Sequence, residues 1–258
     1  MWRKRIWAKS RNIVKLEDCY FYHTIDLPGY GTIHGEWDLR NREPSYLGNV
    51  NFQGKSVLEL GTSNGYLCFY MEKQGANVTA YDLSKEQEWD IVPYSKYDYK
   101  QQILLRKEHV NKINNAFWLA HRLYKSNAKM VYGTVYEIPH AIGEFDICTF
   151  GCILLHLRDP FLALQRASSH IKDTIIITDR PSEAVNKDNN NWITHRTILF
   201  LPDSSTCQPF ETWWELSPEL ITEFIKILGF EHTQLTYHTQ LNHGNEIKLF
   251  TLVGRRSS

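Results

Sequence analysis

The sequence predicts an α/β fold, in which a mostly parallel sheet of seven strands ends in an antiparallel β-hairpin. Through residues 56–179, short apolar runs rich in β-branched residues alternate with longer stretches of helical periodicity. This alternation is typical of a parallel sheet that is covered by helices on both faces. Two further β-rich runs follow the last helix, and the polar turn between them, residues 242–245, favours a hairpin.

The elements follow in a regular order after residue 50. Caps support three of the helices: Gly75 follows one helix, Pro160 begins another, and Ser217 with Pro218 begins the last. The predicted helices are 64–75, 100–125, 160–171 and 217–230. The predicted strands are 56–60, 77–83, 128–133, 144–150, 174–179, 231–241 and 246–254.

Three regions make up the predicted domain organisation. Residues 1–50 form an N-terminal helical cap, and residues 51–258 form the main domain. Within the main domain, residues at about 181–216 form a tryptophan-rich insertion. A chain of 258 residues with 42% hydrophobic residues suits one large domain of this kind.

Charge and cysteine usage restrict the class of partner. The chain carries 29 Lys plus Arg and 29 Asp plus Glu, so it has no general attraction for nucleic acids or anionic membranes. No apolar run approaches the ~20 residues of a membrane helix, and the basic start lacks the apolar segment of a secretory signal. The five cysteines have no zinc-site spacing, so we expect no metal site and a cytoplasmic protein with reduced thiols.

The run GTSNG, Gly61 to Gly65, follows the first core strand and raises the first chemical question. As a nucleophile elbow it would make Ser63 the attacking group of a hydrolase, but no oxyanion loop of the HGGG type precedes it. It lacks the lysine of a phosphate-binding loop of the Walker type and the glycine spacing of a dinucleotide site. A glycine turn that lets the backbone approach a ligand therefore fits better.

An acidic residue on the neighbouring strand indicates which ligand this turn binds. Asp82 ends the second core strand, and an ionised carboxylate there can accept hydrogen bonds from both hydroxyls of a ribose. Glu59 precedes Gly61 at the end of the first core strand. Since nothing is placed to bind a pyrophosphate, the pattern favours a nucleoside without one.

With Glu59, Gly61, Gly65 and Asp82, the segment ELGTSNG resembles the first motif of Rossmann-like S-adenosylmethionine-dependent methyltransferases. The resemblance covers about residues 50–180 and implies S-adenosylmethionine as the cofactor. Thr134 stands where the family usually has an acidic residue beside the adenine. The cofactor contacts implied are Glu59, Gly61, Thr62, Ser63, Gly65, Asp82, Leu83, Thr134, Val135, Tyr136, Phe150 and Gly151, with Arg40 as a candidate partner of the cofactor carboxylate.

Residues 22–40 and 151–164 resemble a narrower group, the tRNA wobble-uridine carboxymethyl-transferring enzymes and related small-molecule methyltransferases. His156, Asp159 and Pro160 match a run that those enzymes carry after the fourth strand, and Leu155 stands where the run has Tyr. We expect methyl transfer to an oxygen or nitrogen of a small specialised metabolite, as in natural-product biosynthesis. A tRNA-modifying enzyme and a binding module with the methyltransferase fold are the alternatives.

Candidate residues for the acceptor side come from the cap, the strand ends and the insertion. His156 can act as a base or can orient the helix that follows it, and Arg40 can pair with the cofactor or fix the cap through a salt bridge. The resemblance implies that the insertion at about 181–216 is a lid over the acceptor, in which the tryptophans can line a pocket or form a small separate core. The candidate catalytic residues are His156, Asp179, His23 and His195, and the candidate substrate-binding residues are Tyr22, Trp37, Trp192, Trp213 and Trp214.

Overall fold

A computed structural model describes residues 6–13, 15–181 and 196–257. The first part of the chain forms β1 (Ile25–Leu27), β2 (Gly31–Ile33), β3 (Trp37–Asp38) and α1 (Glu43–Tyr46). The central part forms β4 (Ser56–Leu60), α2 (Tyr66–Lys73), β5 (Asn77–Asp82), α3 (Tyr99–Tyr124), β6 (Lys129–Tyr132), β7 (Phe145–Gly151), α4 (Pro160–Ser168) and β8 (Ile171–Asp179). The last part forms β9 (Ile198–Phe200), β10 (Trp214–Leu216), α5 (Pro218–Ile227), β11 (His232–Asn242) and β12 (Asn245–Arg255). Three short 3-10 helices are Leu16–Asp18, His140–Ile142 and Leu154–His156.

The main sheet has eight strands in the order β3-β11-β12-β8-β7-β4-β5-β6. The five strands from β4 to β8 that follow one another through helical crossovers are parallel, and β11 and β12 form the antiparallel hairpin. This confirms the predicted α/β class with its terminal hairpin. The bounds of these seven strands and of the four predicted helices agree with the sequence-based bounds to within three residues.

The eighth strand is a correction to the predicted count of seven. β3 has only two residues, which pair with Leu241 and Asn242 on the outer edge of the hairpin. A pair of residues carries no periodic signal, so only the docking of the cap onto the hairpin creates this strand.

Two apolar clusters cover the two faces of the sheet. Consecutive residues of β4 belong to different clusters: Val57 packs with the cap, α2 and α3, and Leu58 packs with α4 and α5. This is the alternation of side chains along a strand that a sheet buried on both faces requires. The sheet is therefore the central layer of a three-layer sandwich.

The cap contains more β structure than helix, contrary to the helical cap that the sequence suggested. β1 and β2 form a hairpin in which Ile25 pairs with Ile33, and α1 is a single turn of four residues. The turn between the two strands contains Gly29 and Gly31 at φ values of +81° and +76°, a conformation that glycine adopts without steric cost. The two glycines therefore favour a reversal of the chain over a continuous helix.

The hairpin β11–β12 holds the cap on the sheet. The main-chain N–H of His243 donates to the carbonyl oxygen of Glu36 at 2.7 Å, beyond the β3 pairing. The guanidinium of Arg42 donates to the Thr239 carbonyl and to the Glu246 carboxylate, each at 3.3 Å. Since these contacts lie next to β3, the position of the cap depends on the last strands of the chain. None of the helices in the described ranges is both long and apolar enough to cross a membrane.

Candidate functional site

A cavity of about 530 Å³ opens at the carboxyl ends of β4, β5, β6 and β7. The loops that follow parallel strands meet at this edge of a sheet, which is where α/β folds bind ligands. The cavity contains eleven of the residues that the sequence singled out. They are Tyr22, His23, Gly61, Ser63, Asp82, Leu83, Thr134, Val135, Tyr136, Gly151 and His156.

The turn after β4 depends on its glycines. Gly61 has a φ of +79°, and a Cβ atom there would lie 2.6 Å from Cγ2 of Ile153. Gly65 has a φ of +83°, and its added Cβ would lie 2.6 Å from the ring of Phe69. Ser63 between them also has a positive φ, 54°. The left-handed backbone and the close packing explain why glycine stands at both ends of the turn.

Asp82 joins this turn to the end of β5. One carboxylate oxygen accepts the N–H of Ser63 at 2.6 Å, and the other accepts the N–H of Leu83 at 2.7 Å. Burial raises the pKa of Asp82 to about 6, and the two backbone hydrogen bonds oppose that shift. Each oxygen keeps a further lone pair, so the side chain can still accept two hydrogen bonds from a ligand in the cavity.

Ser63 and His23 each carry a buried polar atom without a hydrogen-bond partner among the described residues. These atoms are Oγ of Ser63 and Nδ1 of His23, and both residues line the cavity. Burial lowers the pKa of His23 to about 4, so its ring is neutral at neutral pH. Unpaired buried polar atoms cost free energy unless a ligand or water satisfies them, so both atoms are available to a bound polar group.

Asn64 fixes the cap residues over the turn. Its side-chain oxygen accepts the N–H of His23 at 2.8 Å, and its amide donates to the His23 carbonyl at 3.1 Å. The adjacent Tyr22 hydroxyl accepts the indole N–H of Trp37 at 3.1 Å. Asn64, a residue of the glycine turn, therefore holds the cap residue His23 in the cavity wall.

His156, in the 3-10 helix after β7, has a defined tautomer. Its Nδ1 lies 2.7 Å from the main-chain carbonyl oxygen of Glu211, so Nδ1 carries the proton and donates it. Nε2 then keeps a lone pair. Burial, Arg180 and Arg106 lower the pKa of His156 to about 4, which keeps this imidazole neutral.

The rest of the wall was not predicted from the sequence. It comes from the cap, from the segment after β5, from α3 and from the insertion. On α3, Arg106, His109, Val110 and Ile113 all line the cavity, and their spacing places them on one helical face. The predicted helix 100–125 includes Val110 and Ile113 as apolar positions. Helical spacing from these two residues could therefore have identified Arg106 and His109. The other unpredicted wall residues are Tyr20, Glu36, Tyr81, Glu88, Trp89, Asp90, Gly133, Cys152, Ile153, Leu157 and Glu211.

A family model described as a methyltransferase domain matches residues 36–221, more than half of the chain. The chain belongs to this family of methyltransferases. The match covers the glycine turn, Asp82, His156 and the whole insertion at about 181–216. No curated protein gives a significant match.

Solved structures support the fold of this methyltransferase. The N-terminal domain of EvdMO1, in the presence of SAH and D-fucose, aligns with 94% of this chain and 93% of that chain, at a TM-score of 0.54 and 16% identity. Burkholderia thailandensis 1,6-didemethyltoxoflavin-N1-methyltransferase aligns over 84% and 78% of the two chains, with a TM-score of 0.51 and 16% identity. Human N-acetylserotonin methyltransferase aligns over 85% and 53%, with a TM-score of 0.52 and 13% identity.

The cavity of the methyltransferase fits S-adenosylmethionine. A volume of about 530 Å³ lies within the range of small-molecule and cofactor sites. The remaining acceptor capacity of Asp82 suits the two ribose hydroxyls, and the apolar Leu83, Val135 and Ile153 suit an adenine ring. The unpaired atoms of Ser63 and His23 suit the polar methionine end. No arrangement in the cavity wall supplies the cluster of basic groups that a pyrophosphate would need.

Several predicted cofactor residues of the methyltransferase lie behind the cavity wall. Glu59, which is 5% exposed, accepts a hydrogen bond from the Thr62 hydroxyl. Burial raises the pKa of Glu59 to about 8, opposed by the Thr62 hydrogen bond and reinforced by Asp82. Gly65 and Phe150 are likewise absent from the lining. Thr62 is also absent from the lining, so Glu59 supports the glycine turn through Thr62 without facing the cavity.

Arg40 does not line the cavity, in contrast to its predicted role beside the cofactor. Its guanidinium pairs with Asp38 at 2.7 Å and with Asp26 at 2.9 Å. Both carboxylates belong to the cap strands, so Arg40 connects the strands of the cap. The sequence-based alternative, a salt bridge that fixes the cap, describes its contacts.

Asp179, at the end of β8, is also outside the cavity lining. One oxygen accepts the N–H of Arg180 at 2.8 Å, and the other has no partner among the described residues. Burial raises the pKa of Asp179 to about 7. Its neighbour Cys152 does line the cavity, so Asp179 lies beneath the wall.

The tryptophans of the cap and insertion hold structural positions. Trp37 is buried in the cap, beneath Arg180 at 5.5 Å. The indole N–H of Trp213 donates to the Asp90 carbonyl at 2.7 Å, and that of Trp214 donates to the Leu157 carbonyl at 3.0 Å. They join the insertion to the cavity wall and do not line it. Trp192 and His195, two further candidates, fall outside the described residues.

Proposed function

We propose that this enzyme transfers a methyl group from S-adenosylmethionine to an oxygen or nitrogen atom of a small-molecule acceptor. The observation that carries the proposal is the position of His156. Its neutral imidazole, with Nδ1 engaged by the Glu211 carbonyl, lines the same cavity as Asp82 and the glycine turn. A base and a nucleoside-binding carboxylate therefore share one enclosed space.

When bound, S-adenosylmethionine supplies an electrophilic methyl group on a sulfonium and leaves as a neutral thioether. Asp82 and the turn at Gly61 and Ser63 would hold it, with the cap residue His23 above them. The protein contributes alignment of the acceptor and removal of its proton. Nε2 of His156 is the group that accepts this proton, because Nδ1 is already committed to the Glu211 carbonyl.

Two structures of similar fold support a small acceptor. The EvdMO1 domain was solved with SAH and D-fucose, and the Burkholderia enzyme was solved with 1,6-didemethyltoxoflavin and S-adenosylhomocysteine. We infer the same size class for this enzyme because its acceptor must fit within one cavity that also holds the cofactor.

A tRNA acceptor, the alternative from the narrower resemblance, has less support. The cavity is lined by four acidic residues, Glu36, Glu88, Asp90 and Glu211. Arg106 also lines it and is paired with Glu211. A phosphate backbone would meet several carboxylates near this opening. Firm retention on heparin above physiological salt would favour RNA, because each phosphate contact releases counterions.

Calorimetry with S-adenosylhomocysteine tests the cofactor half of the proposal. Binding that Asp82→Ala weakens would support it, and no detectable binding would favour the alternative of a binding module. Transfer of an isotopically labelled methyl group to small molecules, followed by mass spectrometry, tests the acceptor half. Label that appears only in tRNA would overturn the small-molecule assignment.

A further inference from the structure

Six wall residues and His156 form one connected group, which we call the acceptor box: Tyr20, Glu36, Trp89, Arg106, His109 and Glu211. We propose that the acceptor box selects a neutral, non-planar acceptor with several hydroxyl groups, the chemical class of sugars and cyclic polyols. This inference rests on the proposed methyltransferase function and names the substrate class of the same site.

Contacts within the acceptor box show that it is a continuous wall. Tyr20 packs on His109 with 4.5 Å between ring centroids, and its hydroxyl donates to Glu36. Trp89 lies 6.3 Å from His109 and 6.4 Å from His156, between centroids.

Arg106 connects Trp89 to Glu211 in this wall. Its guanidinium carbon lies 5.8 Å from the centre of the Trp89 ring, and the guanidinium pairs with Glu211. The Glu211 carbonyl accepts a hydrogen bond from Nδ1 of His156. The chain of contacts therefore begins at Tyr20 in the cap and ends at the candidate base.

The angles between the rings do not suit a flat acceptor. The planes of Tyr20 and His109 meet at 58°, those of Trp89 and His109 at 42°, and those of Trp89 and His156 at 83°. None of these three neighbouring pairs is parallel, so none of them forms a slot that stacks on both faces of a planar ring. Tilted apolar faces suit a puckered molecule, whose C–H groups point in several directions.

The polar groups of the acceptor box match hydroxyls in both of their roles. A hydroxyl donates one hydrogen bond and accepts others, so a polyol needs acceptors and donors side by side. The carboxylates of Glu36 and Glu211 are acceptors, and the guanidinium of Arg106 is a donor. Burial lowers the pKa of His109, as it does for His156, so both imidazoles are neutral. His109 offers one donor and one acceptor, and His156 offers the acceptor Nε2, because its Nδ1 donates to Glu211.

The mixture of charges disfavours an ionic acceptor. An anion would lie beside Glu36 and Glu211, with Glu88 and Asp90 also in the wall. A cation would find the carboxylates of the acceptor box already engaged, because Glu211 pairs with Arg106 and Glu36 accepts a hydrogen bond from Tyr20. Burying an ion without an unengaged partner of opposite charge is costly, so a neutral acceptor fits this wall best.

Binding measurements with the S-adenosylhomocysteine complex test the inference without requiring turnover. Saturation-transfer NMR and calorimetry would compare three polyols, D-fucose, methyl α-D-glucopyranoside and myo-inositol, with planar catechol, cationic phenethylamine and anionic benzoate. We expect at least one polyol to bind more tightly than all three other probes. The inference is overturned if a planar or charged probe binds at least as tightly as every polyol, or if no polyol binds at millimolar concentration.

Variants locate the binding in the acceptor box. Trp89→Leu and Glu211→Gln should each weaken the polyol that binds best by about tenfold or more. Glu246→Gln is a matched control, because Glu246 also pairs with an arginine, Arg42, but lies on the hairpin outside the cavity. It should change polyol affinity less than twofold, and an equal loss in this control would contradict the assignment.

The two proposals fail in different ways. If S-adenosylhomocysteine does not bind the unaltered protein, the proposed function fails. If it binds with ordinary affinity, and labelled methyl groups are transferred only to planar or charged acceptors, the function stands and the acceptor class is wrong.

Discussion

The imidazole of His156 and the main-chain carbonyl of Glu211 are 2.7 Å apart, although the two residues are 55 positions apart in the chain. Two neighbouring contacts reinforce this link. The N–H of Trp213 donates to the Leu155 carbonyl at 2.8 Å, and the Trp214 indole donates to the Leu157 carbonyl. The insertion therefore packs along the 3-10 helix and sets the tautomer of the candidate base.

His156→Gln should lower the rate of methyl transfer by roughly 10²–10⁴-fold, the usual contribution of a general base. Affinity for S-adenosylhomocysteine should change little, because His156 belongs to the acceptor side of the cavity. Single-turnover kinetics with a labelled methyl group measures the rate.

His170→Gln is the matched control for this change. His170 is buried, and its Nδ1 lies 2.8 Å from the Gly143 carbonyl, but it is not part of the cavity wall. Its substitution should leave the transfer rate of the folded enzyme within a few-fold. Equal rates for the two variants would exclude His156 as a base.

Asp82→Ala should weaken cofactor binding by roughly 1–3 kcal/mol, because it removes a charged acceptor for two hydroxyls. Calorimetry with S-adenosylhomocysteine measures the change. Asp146→Ala provides the comparison: Asp146 also accepts a serine N–H, that of Ser56 at 2.8 Å, at the opposite end of the sheet. Unchanged cofactor affinity in Asp82→Ala would count against the whole placement of the nucleoside.

Ser63→Ala should reduce turnover at saturating cofactor by less than about tenfold. The Ser63 hydroxyl has no hydrogen-bond partner in the described part of the chain, so no base activates it as a nucleophile. Its loss should mainly raise the concentration of cofactor needed for half-maximal rate. Loss of turnover by ~10³-fold or more in a folded variant would restore the hydrolase-type interpretation of the GTSNG run.

Glu59 should make the cofactor-free protein less stable as the pH rises. Burial places its folded pKa at about 8, above the ordinary value of 4.5, so the folded state binds this proton more tightly. The resulting stabilisation is complete below about pH 4.5 and is lost as the pH rises to about 8. Asp82 shifts in the same direction, over a lower pH range that ends at about 6.

Urea unfolding at pH 6.5 and pH 8, with the unaltered protein and with Glu59→Gln, isolates the contribution of Glu59 as the difference between the two pH dependences. Other buried groups that titrate in this interval, such as Asp179 with a pKa of about 7, contribute alike to both proteins. Glu59→Gln should remove about 1 kcal/mol per pH unit of the loss of stability with rising pH. Glu246→Gln, a change on the exposed hairpin, should leave the pH dependence unchanged. Equal pH dependences in Glu59→Gln and the unaltered protein would contradict the protonated state of Glu59.

Much of the fold follows from the sequence because its signals are local. The apolar strands and the capped helices carry their own periodicity, and Ser217 accepts the N–H of Leu220 as an N-cap should. The glycine turn and Asp82 were identifiable because each stands at a strand end. The strand ends were therefore enough to locate the cofactor half of the cavity.

The acceptor half could not be predicted in the same way because its residues meet only through tertiary packing. Tyr20, Trp89, Arg106 and Glu211 lie in four separate segments. Trp213 and Trp214 look like wall residues in the sequence, yet their indole N–H groups connect backbone segments instead. The sequence left Arg40 with two possible partners, the cofactor carboxylate or a salt bridge within the cap, and the pairs with Asp26 and Asp38 form when the cap strands fold together.

The pairing of β3 with Leu241 and Asn242 has a consequence for synthesis on the ribosome. The cap is translated before β11, the strand on which it docks. A nascent chain that lacks the β11–β12 hairpin has no edge to receive Trp37 and Asp38, so Glu36 cannot yet reach its place in the cavity. The enzyme should therefore become competent to bind its acceptor only after this hairpin has emerged from the ribosome and paired with β3.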